Sequence, residues 1–137
     1  MISTKGRYAL RVLLDVASNQ QDGYVPMKDV AKRQGLSLKY IEQILPALTR
    51  NGILEGVPGK GGGYRLVVEP NKLTVGDILR ITESNLAPVS CLQVGAKECK
   101  RRSICPTIDF WQGLNKVIND YIDSKTIEDL LKTEYCD

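Results

Sequence analysis

The sequence predicts a mostly helical fold with a small β wing, a winged helix-turn-helix followed by a C-terminal dimerisation helix. Three observations carry this prediction. Two amphipathic segments are separated by "GLS" at residues 35–37. Two strand-like runs, "ILEGV" and "YRLVV", flank the glycine-rich "PGKGGG". The last long segment carries more apolar face than the core of so small a domain needs.

Along the chain, Ala9, Val12, Leu13, Val16 and Ala17 recur at helical spacing and predict an amphipathic helix over residues 4–18. After the polar turn "NQQDGY", the stretch "VPMKDVAKRQG" holds a short helix with Val30 and Ala31 inward and Gly35 as its stop. Ser37 is the N-cap of a longer helix, "LKYIEQILPALTRN", whose Ile41, Ile44, Leu45 and Leu48 face the core. Pro46 deletes one backbone hydrogen bond there and should kink or loosen the helix, and Gly52 ends it. A short Gly-containing turn between two helices is the geometry in which the second helix enters a DNA major groove, although two packed helices of a bundle share it.

The strand–loop–strand that follows makes the motif a winged helix. At its tip, Lys60, Gly61 and Gly62 offer charge and closely approaching backbone to a phosphate chain. "GKGGG" does not read as a nucleotide-binding loop. Such a loop needs a strand before it and a helix opening on its Lys-Ser/Thr, and here a strand follows. Thr74, with Asp77 in the third helical position, forms an approximate capping box for another short helix. Pro106 sits in the first turn of the last long helix, whose stripe is Ile108, Trp111, Leu114, Ile118, Tyr121 and Ile122, and Thr126 caps a final turn. The natural partner of that stripe is its copy in a second subunit, with packing back onto the same domain as the plainer alternative. The chain thus divides into a DNA-binding domain at 1–82, a cysteine loop at 83–105 and a dimerisation helix with a terminal helical turn at 106–132.

Composition excludes several function classes. The chain has 137 residues, 42% hydrophobic and 26% charged, as an ordinary globular protein does. No apolar run reaches the ~20 residues that span a bilayer, and the N-terminal stretch carries charge inside its apolar pattern, so it reads as a helix of the fold rather than a signal peptide. The expected compartment is the cytoplasm, with no membrane partner and no small-molecule substrate. Histidine is absent, which removes most nucleophile–base pairs, and with no phosphate cradle the chain reads as no enzyme. Residues 1–65 hold 10 Lys and Arg against 5 Asp and Glu, whereas residues 66–137 hold 9 against 11. A basic first half suits a polyanion.

"STKGRYAL", "LSLKYIEQILPALTRNGIL", "GKGGGYRL", "LTVGDIL" and a loop with three cysteines occur together and in order. This set resembles the iron–sulfur-sensing winged-helix transcription regulators of the IscR type, in the Rrf-two family that also includes CymR and NsrR, over residues 1–132. The resemblance implies a homodimeric bacterial repressor or activator that senses iron–sulfur cluster status, controls cluster biogenesis genes, and reads double-stranded DNA through the second helix of the motif and the wing. It places Ser37, Lys39, Tyr40, Glu42 and Gln43 in the base- and phosphate-contacting stretch, and Lys5 and Arg7 on the backbone. The chemistry agrees. Glu42 can accept from a cytosine amino group, Gln43 can pair with an adenine edge, and Lys39 and Tyr40 can reach phosphate or guanine. Each is equally a solvated helix position, and Ser37 is equally only a cap. Relatives often carry an Arg just before the wing glycines, a natural minor-groove reader; here Pro58 stands there, with Lys60 two residues on.

Cys91, Cys99 and Cys105 are spaced C-x7-C-x5-C, with Lys97, Lys100, Arg101 and Arg102 among them. Thiolates are the soft donors that iron–sulfur clusters take, and the cations favour the thiolate and offset cluster charge. A thiol switch without metal is the alternative, as in a thiol-redox or cysteine-metabolism regulator, and the paired knuckles of a structural zinc site are missing. The resemblance implies a cluster, [2Fe-2S] ahead of [4Fe-4S]. Its usual fourth ligand, a His three residues after the last cysteine, is Ile108 here, and the Asp that NsrR-like relatives bring from the partner's first helix corresponds to Arg7 or Tyr8. If Cys105 caps the last helix, Asp109 lies four residues on and shares its face, which makes Asp109 the candidate fourth ligand, with Glu98 and Cys136 as rivals.

Overall fold

The computed structural model describes residues 2–133. Its first helix, α1 (Thr4–Asn19), starts where the Ser3 hydroxyl accepts from the Gly6 amide, and its buried face is Ala9, Val12, Leu13 and Val16. Then come α2 (Met27–Gln34), ended by Gly35 in the left-handed conformation at φ 66°, and α3 (Leu38–Arg50), capped by Ser37, whose hydroxyl accepts from the Tyr40 amide. Pro46 lies inside α3, which runs through it without interruption. Strands β1 (Leu54–Val57) and β2 (Gly63–Leu66) pair antiparallel, with Leu54 opposite Leu66 and Val57 opposite Gly63. Helix α4 (Val75–Thr82) opens on the predicted capping box, Thr74 and Asp77 each bonding the other's backbone amide. A long irregular segment then leads to α5 (Ile108–Ser124) and a short α6 (Ile127–Leu131), which opens on a second capping box made by Thr126 and Asp129.

The core lies between the faces of α1, α2 and α3 that repeat at helical period. Leu13, Ile41, Ile44, Leu48, Ile78 and Val30 are all 1% exposed or less. Each fully buried side chain of this size contributes about 1.5–3 kcal/mol. The core is closed from an unexpected quarter. Ile127 of α6 is fully buried within it, its amide donates to the Leu73 carbonyl at 2.8 Å, and the Val75 amide donates to Lys125 at 2.8 Å. The end of the chain therefore returns to the N-terminal half, a packing that a five-residue helix is too short to announce by periodicity.

A buried charge ties α2 to α1. Asp15 is buried on the core side of α1, and its two oxygens accept from Arg33 Nε and Nη2, the shortest at 2.6 Å, and from Gln34 Nε2 at 2.9 Å. Asp15→Ala removes these charge-assisted bonds and leaves Gln34 short of an acceptor. Because the Arg33 side chain is 41% exposed and regains water, the expected cost is about 2–3 kcal/mol rather than the larger loss of a fully buried pair. A urea midpoint equal to wild type would contradict it.

One predicted boundary moves. The last long helix begins at Ile108, not at Pro106. Thr107 is its N-cap at φ −114° and ψ 1°, and Cys105 is extended at φ −73° and ψ 116°. Cys105 therefore does not cap the helix, and the shared helical face that linked it to Asp109 does not form. Helix α5 rests on α4 through Arg80, which donates to both Asp123 oxygens at 2.5 and 3.0 Å and to Asn119 at 2.8 Å.

Candidate nucleic-acid interface and cysteine loop

Helix α3 divides by exposure along its own period. Ile41, Ile44, Leu45 and Leu48 are buried, while Lys39, Glu42, Gln43 and Pro46 are exposed, at i, i+3, i+4 and i+7 of one face. That face presents a cation, a carboxylate and an amide, the donors and acceptors that base edges and phosphates require. Ser37 is exposed, but its hydroxyl is engaged as the cap. Tyr40 differs from its neighbours: it is half-buried, and its ring meets that of Tyr8 on α1 edge to face at 5.4 Å and 79°, with Arg11 stacked over Tyr8. The pair braces the start of α3 against α1. The apolar period of α1 does not include Tyr8, so nothing local in the sequence signals this contact.

The wing is anchored at its base. Tyr64 and Val25 exchange both backbone hydrogen bonds, at 2.8 and 2.9 Å, which ties β2 to the connection before α2. Gly63 permits it, with φ 144° and a Cβ position that would fall 2.3 Å from the Val25 carbonyl oxygen. At the tip, Lys60 and Gly61 are exposed. Gly62 is buried, and its amide is spent on the Gly59 carbonyl at 3.0 Å, so Gly62 shapes the turn. Arg65, the other cation of the wing, is held by Glu55 at 2.5 Å and stacks on Tyr24. Lys5 is half-buried on α1, and Arg7 is exposed and donates to the Thr4 hydroxyl at 3.2 Å.

The cysteine loop is largely open to solvent. Cys91 is half-buried in a 3-10 turn at Ser90–Leu92, Cys99 is exposed, and Cys105 is half-buried after another 3-10 turn at Arg102–Ile104. Among the described residues, no three Cys, His, Asp or Glu side chains come together as a group that would hold a metal ion. The donor chemistry of Cys91, Cys99 and Cys105 suits an iron–sulfur cluster, although among the described residues these thiols and Asp109 are not gathered into a metal-holding group. Asp109 is exposed in the first turn of α5, Glu98 is exposed in the loop, and Cys136 lies outside the described residues.

Cys105 has chemistry of its own. The Thr107 hydroxyl lies 3.6 Å from its sulfur, and this contact, aided by the Thr107 and Ile108 amides and by Arg101, holds the thiol below its usual pKa. In reduced, metal-free protein, the midpoint of Cys105 alkylation against pH is expected below that of an ordinary thiol, since the thiolate is the nucleophile. Thr107→Val is expected to move the midpoint upward and slow the reaction at neutral pH. Peptide mass spectrometry after timed iodoacetamide exposure reads this, and an unmoved midpoint would contradict it.

The Rrf2 family model, an iron-dependent transcriptional regulator, matches residues 2–133. The chain belongs to the Rrf2 family. The Rrf2 relatives include the HTH-type transcriptional regulator IscR of Pectobacterium atrosepticum, 35% identical over 97% of this chain and 80% of that protein. Among solved structures, an IscR from T. potens is 35% identical, covers 96% of this chain and 86% of its own, and has a TM-score of 0.77. CymR, the global cysteine regulator of B. subtilis, is 31% identical over 98% of both chains, with a TM-score of 0.83. As an Rrf2 protein the chain is a DNA-binding transcriptional regulator and not an enzyme. No helix among the described residues is long and apolar enough to cross a membrane.

Proposed function

We propose that this Rrf2 protein acts as a homodimer in the cytoplasm on a partly palindromic DNA site, with α3 in the major groove, the Lys60 tip of the wing on the backbone, and the cysteine loop as its signal input. The observation that carries the reading is the solvent-facing row Lys39, Glu42 and Gln43, opposite a fully buried row on the same helix. The signal is iron–sulfur cluster status, [2Fe-2S] ahead of [4Fe-4S], with control of cluster biogenesis genes. Its support is the family's iron-dependent description, the IscR relatives along almost the whole chain, and three soft donors set among Lys97, Lys100, Arg101 and Arg102. In this reading the loop must draw its thiols together to hold the cluster, with Asp109, Glu98 and Cys136 as candidates for a fourth ligand.

A second reading has its own observation. Among the described residues the three cysteines do not gather into a metal-holding group, the Thr107 contact holds the Cys105 thiol below its usual pKa, and the fold matches the cysteine regulator CymR at least as well as IscR. On that basis the loop is a thiol switch. Purification under anaerobic conditions with iron and sulfide quantitation separates the two. Visible absorption with stoichiometric iron and sulfide, lost in Cys91→Ser, supports the cluster; a colourless protein without iron that still binds DNA supports the switch.

A further inference from the structure

We infer that Glu83 is a positioning residue for DNA binding, a carboxylate that fixes the start of α1 and with it Lys5 and Arg7. The inference rests on the DNA-binding reading above. Glu83 leaves α4 in an extended conformation, at φ −100° and ψ 139°, while its amide still donates to Leu79 at 2.8 Å. Its Oε1 then accepts twice from one distant residue, from the Ser3 amide at 2.9 Å and from the Ser3 hydroxyl at 2.8 Å, across 80 positions of sequence. Ser3 is the N-cap of α1, its hydroxyl accepting from the Gly6 amide at 3.3 Å. One half-buried carboxylate oxygen thus completes the first turn of the helix on which Lys5 and Arg7 stand.

A second observation bears on the same contact. Gly6 is buried, and a Cβ built on it would fall 2.2 Å from Glu83 Oε1 and 3.2 Å from Leu79 Cδ2. The missing side chain at Gly6 is what lets the carboxylate reach Ser3. Glu83 also opens the 83–105 segment that carries the cysteines, so the contact sits where that segment leaves the fold. Nothing about an isolated Glu after a short helix signals this in the sequence, because its partner is at the other end of the domain.

Without the contact the first turn frays, and two cations must be ordered when DNA binds instead of beforehand. The test uses the full chain and a fluorescent duplex carrying a selected site, read by anisotropy at several salt concentrations. Glu83→Ala is expected to weaken all sequences alike by about tenfold, with a log–log salt slope shallower by about 1–2 per protomer as Lys5 and Arg7 lose their phosphates. Glu83→Gln keeps the accepting oxygen and is expected to bind as wild type does. Gly6→Ala is expected to copy Glu83→Ala, yet to cost little more in the Glu83→Ala background, because the 2.2 Å clash with Glu83 Oε1 is gone and only the milder 3.2 Å approach to Leu79 Cδ2 remains. Thermal melts identify any variant that fails to fold, and Ser3→Ala then carries the same comparison. Wild-type affinity and salt slope in folded Glu83→Ala, or a Glu83→Gln as weak as Glu83→Ala, would overturn the role. A wild-type protein that binds no duplex would instead remove the DNA-binding reading itself.

Discussion

In the proposed homodimer, Val117→Asp is expected to yield a monomer and to weaken DNA binding by at least about 100-fold. Helix α5 has no fully buried residue, and Phe110, Val117 and Tyr121 are 64%, 63% and 62% exposed. They stand at i, i+7 and i+11, one side of the helix, while Trp111, Leu114, Ile118 and Ile122 are half-buried. So much aromatic and branched surface on one face is unusual for a monomer. In a two-fold dimer each substituted residue appears twice, so two carboxylates would be desolvated in one apolar seam, at a cost of several kcal/mol. The loss then propagates to DNA. Joining two half-site readers raises effective affinity by about 10²–10⁴, and monomers forfeit it. Light scattering reads the mass and anisotropy the binding; a Val117→Asp protein that remains dimeric would place the interface elsewhere.

Affinity is expected to fall by about 10⁴ between roughly 50 and 200 mM salt. Lys5, Arg7, Lys39 and Lys60 give four candidate phosphate contacts per protomer and eight per dimer, hence a log–log slope of about −7 if all engage. The remaining cations of the first domain are not equivalent. Arg33 is committed to Asp15 and Arg65 to Glu55, so their substitution is expected to change stability or wing geometry more than the salt slope. Lys60→Ala should reduce the slope by about 1 per protomer and leave sequence preference intact. A slope near zero would mean that phosphate neutralisation does not hold the complex together.

Much of the fold was legible because its signals are local. Ser37, Thr74 and Thr126 are caps where their side chains say they should be, the last two with the carboxylates of Asp77 and Asp129, and the buried row of α3 follows its 3.6-residue period. What escaped was non-local or irregular. Ile127 enters the core from the end of the chain, Tyr8 braces Tyr40, and Asp15 is a charge that the apolar period of α1 gave no reason to bury. The sequence puts the start of α5 at Pro106, two residues before Ile108, because proline suits a first helical turn. Here Pro106 and Thr107 form a non-helical turn instead, and the thiol–hydroxyl contact of Cys105 with Thr107 replaces the expected cap. The cysteine loop has no period at all, so spacing revealed the ligand types and nothing of their arrangement.

The most direct test of the account is selection of binding sites from random duplex DNA with wild-type and Gln43→Ala proteins. A partly palindromic motif is expected for wild type, with half-sites about one helical turn apart, and an altered preference at one position of each half-site for Gln43→Ala, since a bidentate amide–adenine pair is worth about 1–3 kcal/mol. No enriched motif, or an identical motif from both proteins, would contradict the claim that the exposed face of α3 reads sequence.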